Sequence, residues 1–305
     1  MTQIQLETER SNMKLTLNRF LKDISLFVVV IFIILVIADK AKVESKPAMD
    51  FPQPLKQEGC LALTYHRVRK DRIMTKVIES LTTSDELRNY SVYESEFERH
   101  MKTLLETDAT FVTPVELRQF RERGDYPKNC VWISFDDVDE SVYENAFPIL
   151  KKYQIPFTLF VIAGHVGDPD FDNLTLATWE QIQEMVDSGL ATVGSHTYDM
   201  HYLKDDEPAF FDPLAKDVFL KDLIKSKQTI ETNLKGVEVV DFAYPYGEGK
   251  DELVPIIKQA GFLSAYILAP RVICEQNAPY WQNRILVDDV VFEATVKPWL
   301  TDLDG

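Results

Sequence analysis

From residue 60 onward, short and continuously apolar runs alternate with stretches in which apolar residues recur every three or four positions. CLALTYH (60–66), VWISFDD (131–137), FTLFVIA (157–163), LATVGSH (190–196), VVDFAYP (239–245), FLSAYIL (262–268) and RILV (284–287) are short and rich in β-branched and aromatic residues. Such runs read as strands buried on both faces. Between them lie helical patterns. Tyr93, Phe97, Met101 and Leu105 fall four apart on one helix face, with His100 directed to solvent. FVTPVELRQF (111–120) gives a short strand and then a helix with Thr113 as N-cap, Pro114 in first position and Glu116 closing a capping box. Further helices are expected around Glu144 to Tyr153, after Thr178 with Gly189 just past the end, over 217–234 and near 251–260. Strand and helix alternate roughly seven or eight times, the pattern of a parallel sheet covered by helices: an α/β barrel or a doubly wound sheet. The region 68–90 has no strong period and reads as a surface loop over one end of the domain.

The N-terminal part follows a different rule. Ile24 to Ala38 is an uncharged apolar run of 15 residues. At 1.5 Å per residue it covers roughly 22 Å, so flanking residues complete a span of the ~30 Å hydrocarbon core. Asp39-Lys40-Ala41-Lys42 offers no small-residue cleavage site, which favours an uncleaved signal anchor. Arg10, Lys14, Arg19 and Lys22 before the run, against Lys40, Lys42 and Lys46 after it, point the N-terminus inward. The expected order is a cytoplasmic segment (1–23), a transmembrane anchor (24–38), a proline-containing linker (39–59) and an extracellular domain (60–305).

Composition removes several classes of function. A net charge of −16 argues against nucleic acid, whose phosphates demand a basic footprint. Having only 11 glycines, no phosphate-cradling loop and no dinucleotide fingerprint argues against a nucleotide enzyme. Ser134 and Ser195 lie outside any G-x-S-x-G elbow, which discounts a serine hydrolase. Cys60, Cys130 and Cys274 are too few and scattered for a disulfide framework or a thiolate metal site; Cys60 and Cys130 open hydrophobic runs and read as buried, inert thiols.

Parallel α/β folds collect their chemistry at the carboxyl ends of the strands. Four ends are informative: Tyr65-His66-Arg67, Asp136-Asp137, Ser195-His196 running on to His201, and Tyr244-Pro245-Tyr246-Gly247. Adjacent residues of a regular strand face opposite ways, so Asp136 and Asp137 can share a site only if the strand breaks there. Read singly, they are as easily a solvated acidic loop. His196 and His201 are five apart, wrong for a helical pair but suited to a strand end running into a turn. Two imidazoles and a carboxylate form a metal set with open positions, suited to zinc first and also to cobalt, nickel or iron. His66 could protonate a leaving amine, and His165, after another strand, competes for that role. Tyr198, Tyr202 and Trp281 could stack on sugar rings, although packing explains each one singly.

Taken in order, Ser134-Phe135-Asp136-Asp137, the His196/His201 pair and Tyr244-Pro245-Tyr246-Gly247 resemble the polysaccharide deacetylases (NodB-homology, carbohydrate esterase family 4) over roughly residues 60–290. The resemblance implies a distorted (β/α)7-type barrel and hydrolysis of N-acetyl groups on β-linked amino sugars. It implies a divalent metal held by Asp137, His196 and His201, Asp136 as general base, and the backbone N–H of Tyr246 as an oxyanion donor. Two features depart from the common pattern. The histidines there are four apart, and an arginine two residues before the proline is here Ala243. The wider spacing and the early Tyr65-His66-Arg67 look like the subgroup acting on poly-β-1,6-N-acetyl-D-glucosamine in intercellular adhesin and biofilm matrix, in which the first-strand histidine, here His66, supplies the acid. Arg284, opening the last strand, is the candidate replacement for the missing arginine. Expected partners are the polymer, the membrane and a polysaccharide synthase. Rival readings are a deacetylase of β-1,4 polymers such as peptidoglycan or chitin, an inactive carbohydrate-binding module, and a tethered protein that docks a synthase.

Overall fold

The structure is a computed structural model that describes residues 59–71 and 90–302. The anchor at 24–38, nearly all of the linker and most of the unpatterned 68–90 region lie outside the described residues. Among the described residues no helix is long and apolar enough to cross a membrane.

Seven parallel strands close on themselves. In sheet order they are β1 (Cys60–Tyr65), β12 (Gln282–Leu286), β11 (Ser264–Leu268), β10 (Asp241–Ala243), β7 (Ala191–Ser195), β6 (Phe157–Val161) and β5 (Cys130–Asp137), and β5 returns to pair with β1. The β1–β5 ladder runs from Cys60↔Cys130 to Tyr65↔Phe135, which excludes the open, doubly wound alternative. A two-residue strand β4 (Thr110–Phe111) pairs with the lower half of β5, on the edge whose upper half pairs with β6. The expected strands all form, most trimmed by a residue or two at the ends, while β5 and β12 begin one and two residues earlier than expected. Among the described residues the pattern missed a short parallel pair, β2 (Arg67–Arg69) with β3 (Ser91–Tyr93), a tight hairpin of β8 (Leu203–Lys204) with β9 (Glu207–Pro208), and the helical turns over 289–302.

Strand alternation divides the core in two. Cys60, Ala62, Cys130, Trp132, Phe160, Ala243 and Tyr266 pack within the barrel; Leu61, Leu63, Val131, Ile133, Phe135, Leu159, Val193 and Phe242 pack outward under the helices. Inside, Gly194 makes room for the Phe160 ring of the neighbouring strand: a Cβ there would lie 2.5 Å from it. Helix α1 (Glu94–Glu106) buries Phe97, His100, Met101 and Leu104, and α2 (Pro114–Arg123) carries the expected capping box of Thr113 and Glu116. A π-type turn (Val142–Ala146) leads into α3 (Phe147–Tyr153). Helix α4 (Trp179–Asp187) is capped by Thr178, and α5 (Lys216–Asn233) and α6 (Val254–Gln259) complete the covering layer.

Three expectations are corrected. His100 does not face solvent; it is fully buried, stacked on Phe292 with ring centroids 3.9 Å apart. Its Nε2–H donates to Asp289 at 3.0 Å, and its Nδ1 accepts from the Tyr65 hydroxyl at 3.3 Å. Leu105 leaves the apolar face, 38% exposed, and Leu104 takes its place. Cys60 and Cys130 are not thiols. Barrel closure places them opposite each other, with Cα atoms 4.5 Å apart, and they form a disulfide across the seam.

Candidate active site

Alternation along each strand decides which side chains reach the barrel mouth. On β1 Tyr65 points outward and His66, one residue on, follows the inward series of Ala62 and Thr64; Asp136 continues the inward series of Cys130, Trp132 and Ser134. Asp137 would point away, but the strand breaks as the sequence required. The Val138 N–H donates back to the Asp136 carbonyl at 2.6 Å, and Asp137 and Val138 both adopt left-handed backbone, φ 62° and 64°. A β-branched residue held there is strained, as is common at functional sites.

That turn swings the Asp137 carboxylate toward two imidazoles. Its Oδ1 lies 3.5 Å from His196 Nε2 and 3.3 Å from His201 Nε2, and it is buried without a hydrogen-bond donor. One ligand atom from each of the three residues lies within 4.8 Å of the others. The His196 Nδ1–H donates to the Ala243 carbonyl at 2.8 Å, fixing the tautomer that presents Nε2 as a bare lone pair. An orphaned carboxylate oxygen facing two imidazole nitrogens fits a divalent cation. Burial would raise the Asp137 carboxyl, yet the surrounding histidines, His201 first and then His66 and His196, together hold the group well below the carboxylate range. Burial pushes His196 down to about 4.

Asp136 is 2% exposed and held by a fork. Arg284 Nη1 and Nη2 reach its two oxygens at 2.6 and 2.8 Å, and the guanidinium itself is wholly buried, its carbon 5.0 Å from the centre of the Phe160 ring. Burial favours the neutral acid, but the Arg284 charge keeps the carboxyl ionised, below the usual range. The structure thus brings Arg284 to the carboxylate for which the sequence offered it.

The remaining candidates separate. The His66 ring meets Tyr90 edge-on at 4.8 Å, its Nδ1 is buried without a hydrogen-bond partner, and burial pushes its pKa below the ordinary value. Tyr246 takes left-handed backbone at φ 61°, and its ring lies 4.9 Å from that of His201. His165 belongs to a neighbouring cluster, 2.7 Å from Asp199 and 3.5 Å from Asp168. Tyr202 is half exposed beside His201, while Tyr198 packs under Lys225 and Trp281 stacks on the buried Tyr244, both rings being partly exposed. Ser134 and Ser195 bond to Thr64 and Ser226, which leaves them structural.

A family model for polysaccharide deacetylase matches residues 123–265, which include the carboxylate pair, both histidines and the Pro-Tyr-Gly turn. The chain is 40% identical over 252 residues to the poly-β-1,6-N-acetyl-D-glucosamine N-deacetylase of Staphylococcus aureus, covering 82% of this chain and 87% of the relative. It belongs to the polysaccharide deacetylase family. The corresponding Staphylococcus epidermidis enzyme is 39% identical over 243 residues, covering 80% of this chain and 84% of its own. Among solved structures, IcaB from Ammonifex degensii superposes with a TM-score of 0.69 at 35% identity, over 80% of this chain and 97% of that one. The Streptococcus pyogenes deacetylase PplD shares the fold, with a TM-score of 0.60 at 23% identity over 75% and 92% of the two chains. Membership accords with the closed seven-stranded barrel and with an N-deacetylase, a hydrolase of linear amides.

Three contributors escaped the sequence reading. Tyr90 borders a region without pattern. Asp222 and Ser226 sit in the helix expected over 217–234, whose pattern does not reveal their partners.

Proposed function

We propose that this chain removes N-acetyl groups from poly-β-1,6-N-acetyl-D-glucosamine, releasing acetate, at the outer face of the membrane. The observation that carries this reading is the barrel mouth itself. An ionised, Arg-clamped carboxylate stands beside a separate Asp-His-His ligand set, in a chain 40% identical over most of its length to enzymes named for that substrate. The family's metal dependence accords with Asp137, His196 and His201 as its holders. When bound, the ion supplies a Lewis acid for the acetamide carbonyl and acidifies the attacking water; zinc, cobalt, nickel and iron all suit two imidazoles and a carboxylate.

The chain's own residues do the rest. Asp136 takes the proton of the water as it attacks, its two oxygens aimed by Arg284. The Tyr246 N–H, presented by the left-handed turn, donates to the developing oxyanion. His66 is neutral at rest, because burial disfavours its charged form. It relays to the leaving amine the proton that Asp136 took from the water, which returns both groups to their starting protonation.

Residues 24–38 supply the membrane anchor and place the domain outside the cell, where it can meet a synthase and its polymer. The Cys60–Cys130 disulfide supports that side, since such bonds persist in oxidising compartments. The test is acetate release from β-1,6- and β-1,4-linked N-acetylglucosamine oligomers, with and without chelator. Chelator-sensitive release from the β-1,6 series is expected. Preference for the β-1,4 series would move the substrate to peptidoglycan or chitin, and a chain that neither holds metal nor releases acetate would be a binding module.

A further inference from the structure

The two candidate ligand histidines are joined by a turn that cannot hold itself. Thr197 sits at φ 78°, where a β-branched residue is strained, and the intervening N–H groups have no strand partner. Helix α5 supplies the partners from one face. Asp222 Oδ2 accepts from the Tyr198 N–H and Oδ1 from the Asp199 N–H, both at 2.8 Å. One turn on, the Ser226 hydroxyl donates to the Thr197 carbonyl at 3.1 Å. It accepts from the Ser195 hydroxyl at 2.7 Å, and the Ser195 oxygen in turn takes the Thr197 N–H at 3.2 Å. From the other side, the Ala163 and Gly164 N–H groups bond the carbonyls of Thr197 and Tyr198 at 3.0 and 2.8 Å. Asp222 is 8% exposed and Ser226 fully buried, so water does not substitute for either.

We infer that Asp222 and Ser226 are positioning residues that set the separation of His196 and His201, and so the affinity and geometry of the metal site. This rests on the metal-dependent reading above. A carboxylate bridging two consecutive N–H groups fixes both peptide planes, and with them the direction from which His201 returns to Asp137. Burial raises the Asp222 carboxyl to about 6, partly offset by those two N–H groups, so the anion is kept at a cost that a surface aspartate would not bear. A solvated helix face needs no such group. Partners one step behind metal ligands typically govern affinity by about 10- to 100-fold.

The experiment uses the full chain and its Asp222→Ala, Asp222→Asn and Ser226→Ala variants. Zn²⁺ affinity is measured by competition with a chromophoric chelator, the visible spectrum of the Co²⁺-loaded form reports geometry, and the thermal midpoint is taken metal-free. The expected result is a loss of Zn²⁺ affinity of about 10- to 100-fold in Asp222→Ala with an altered Co²⁺ spectrum. Asp222→Asn, which keeps one acceptor, and Ser226→Ala should lose less. Variants that lose only thermal stability, with affinity and spectrum those of the parent, would overturn the inference and leave the metal site standing. A parent chain that takes up no Zn²⁺ would overturn both.

Discussion

Replacing Arg284 by Met keeps most of the buried volume and removes the fork that holds Asp136. In the structure the pair is bidentate at 2.6 and 2.8 Å, with side chains 0% and 3% exposed. Water therefore cannot replace the lost partner. Breaking a buried pair from one side costs about 3–5 kcal/mol, because the other charge stays buried alone. For a domain of this size about 1 kcal/mol moves the midpoint by roughly 2–4 °C, so Arg284→Met should melt roughly 6–20 °C below the parent. Asp136→Asn strands the guanidinium instead, leaving it the Phe160 ring and Ser134 Oγ at 3.5 Å. The double variant leaves neither charge of this pair buried alone and should be more stable than either single one, with a coupling energy of about 2 kcal/mol or more. Urea unfolding of the four proteins measures the cycle, and acetate release measures the consequence. Both single variants should lose turnover, since an unaimed or absent Asp136 cannot take the proton. An Arg284→Met protein within about 1 kcal/mol of the parent and still active would refute the assignment.

Three further outcomes follow from other contacts. His100, pushed down to about 4 by burial, binds its proton less readily folded than unfolded, so its stabilisation is complete above its ordinary 6.5 and fades as pH falls toward 4. At about 1.4 kcal/mol per pH unit this is about 3 kcal/mol, and urea midpoints of His100→Gln should be flatter than the parent's over that window; parallel curves would be the contrary result. Closing a 70-residue separation, the Cys60–Cys130 disulfide should contribute about 2–4 kcal/mol, read as the stability lost in the double alanine variant; no change on reduction would mean the bond does not form. Gly247 sits at φ 72°, and an added Cβ would lie 2.4 Å from Leu268, so Gly247→Ala strains the turn that carries the Tyr246 N–H. It should cut kcat by up to about 10²–10³ while metal uptake persists; an unchanged kcat would remove the N–H from the mechanism.

Much of this was legible because strands announce their faces. The apolar runs ended in polar residues, and parallel strands gather such ends at one rim. The failures have equally physical causes. The stripe Tyr93, Phe97, Met101, Leu105 was spaced by four, but each such step overshoots a helical turn by about 40°. Over three steps the stripe rotates by about 120°, carrying Leu105 into solvent, while the i, i+3, i+4, i+7 set of Phe97, His100, Met101 and Leu104 stays inside. The disulfide was invisible because its cysteines become neighbours only when the first strand pairs with the fifth, a fact of barrel closure rather than of spacing.

The same alternation that sends one residue of each pair into the mouth ties its neighbour to the covering helices. Tyr65, just before His66, reaches His100 on α1, and Ser195, just before His196, reaches Ser226 on α5. His66 and His196 are thus each aligned by an outward hydrogen bond from the residue before them, whereas Asp136, preceded by Phe135, is held by Arg284 instead. Asp137 and His201 fall outside this rule. The first needs a left-handed break in β5 to turn inward, and the second lies at the end of a turn that itself needs a left-handed residue at Thr197. Two of the three candidate metal ligands therefore depend on strained backbone, and the break at Thr197 is secured by a charged side chain of a helix. If metal is held as proposed, affinity should be more sensitive to Asp222 than to any residue of the barrel core that touches neither turn.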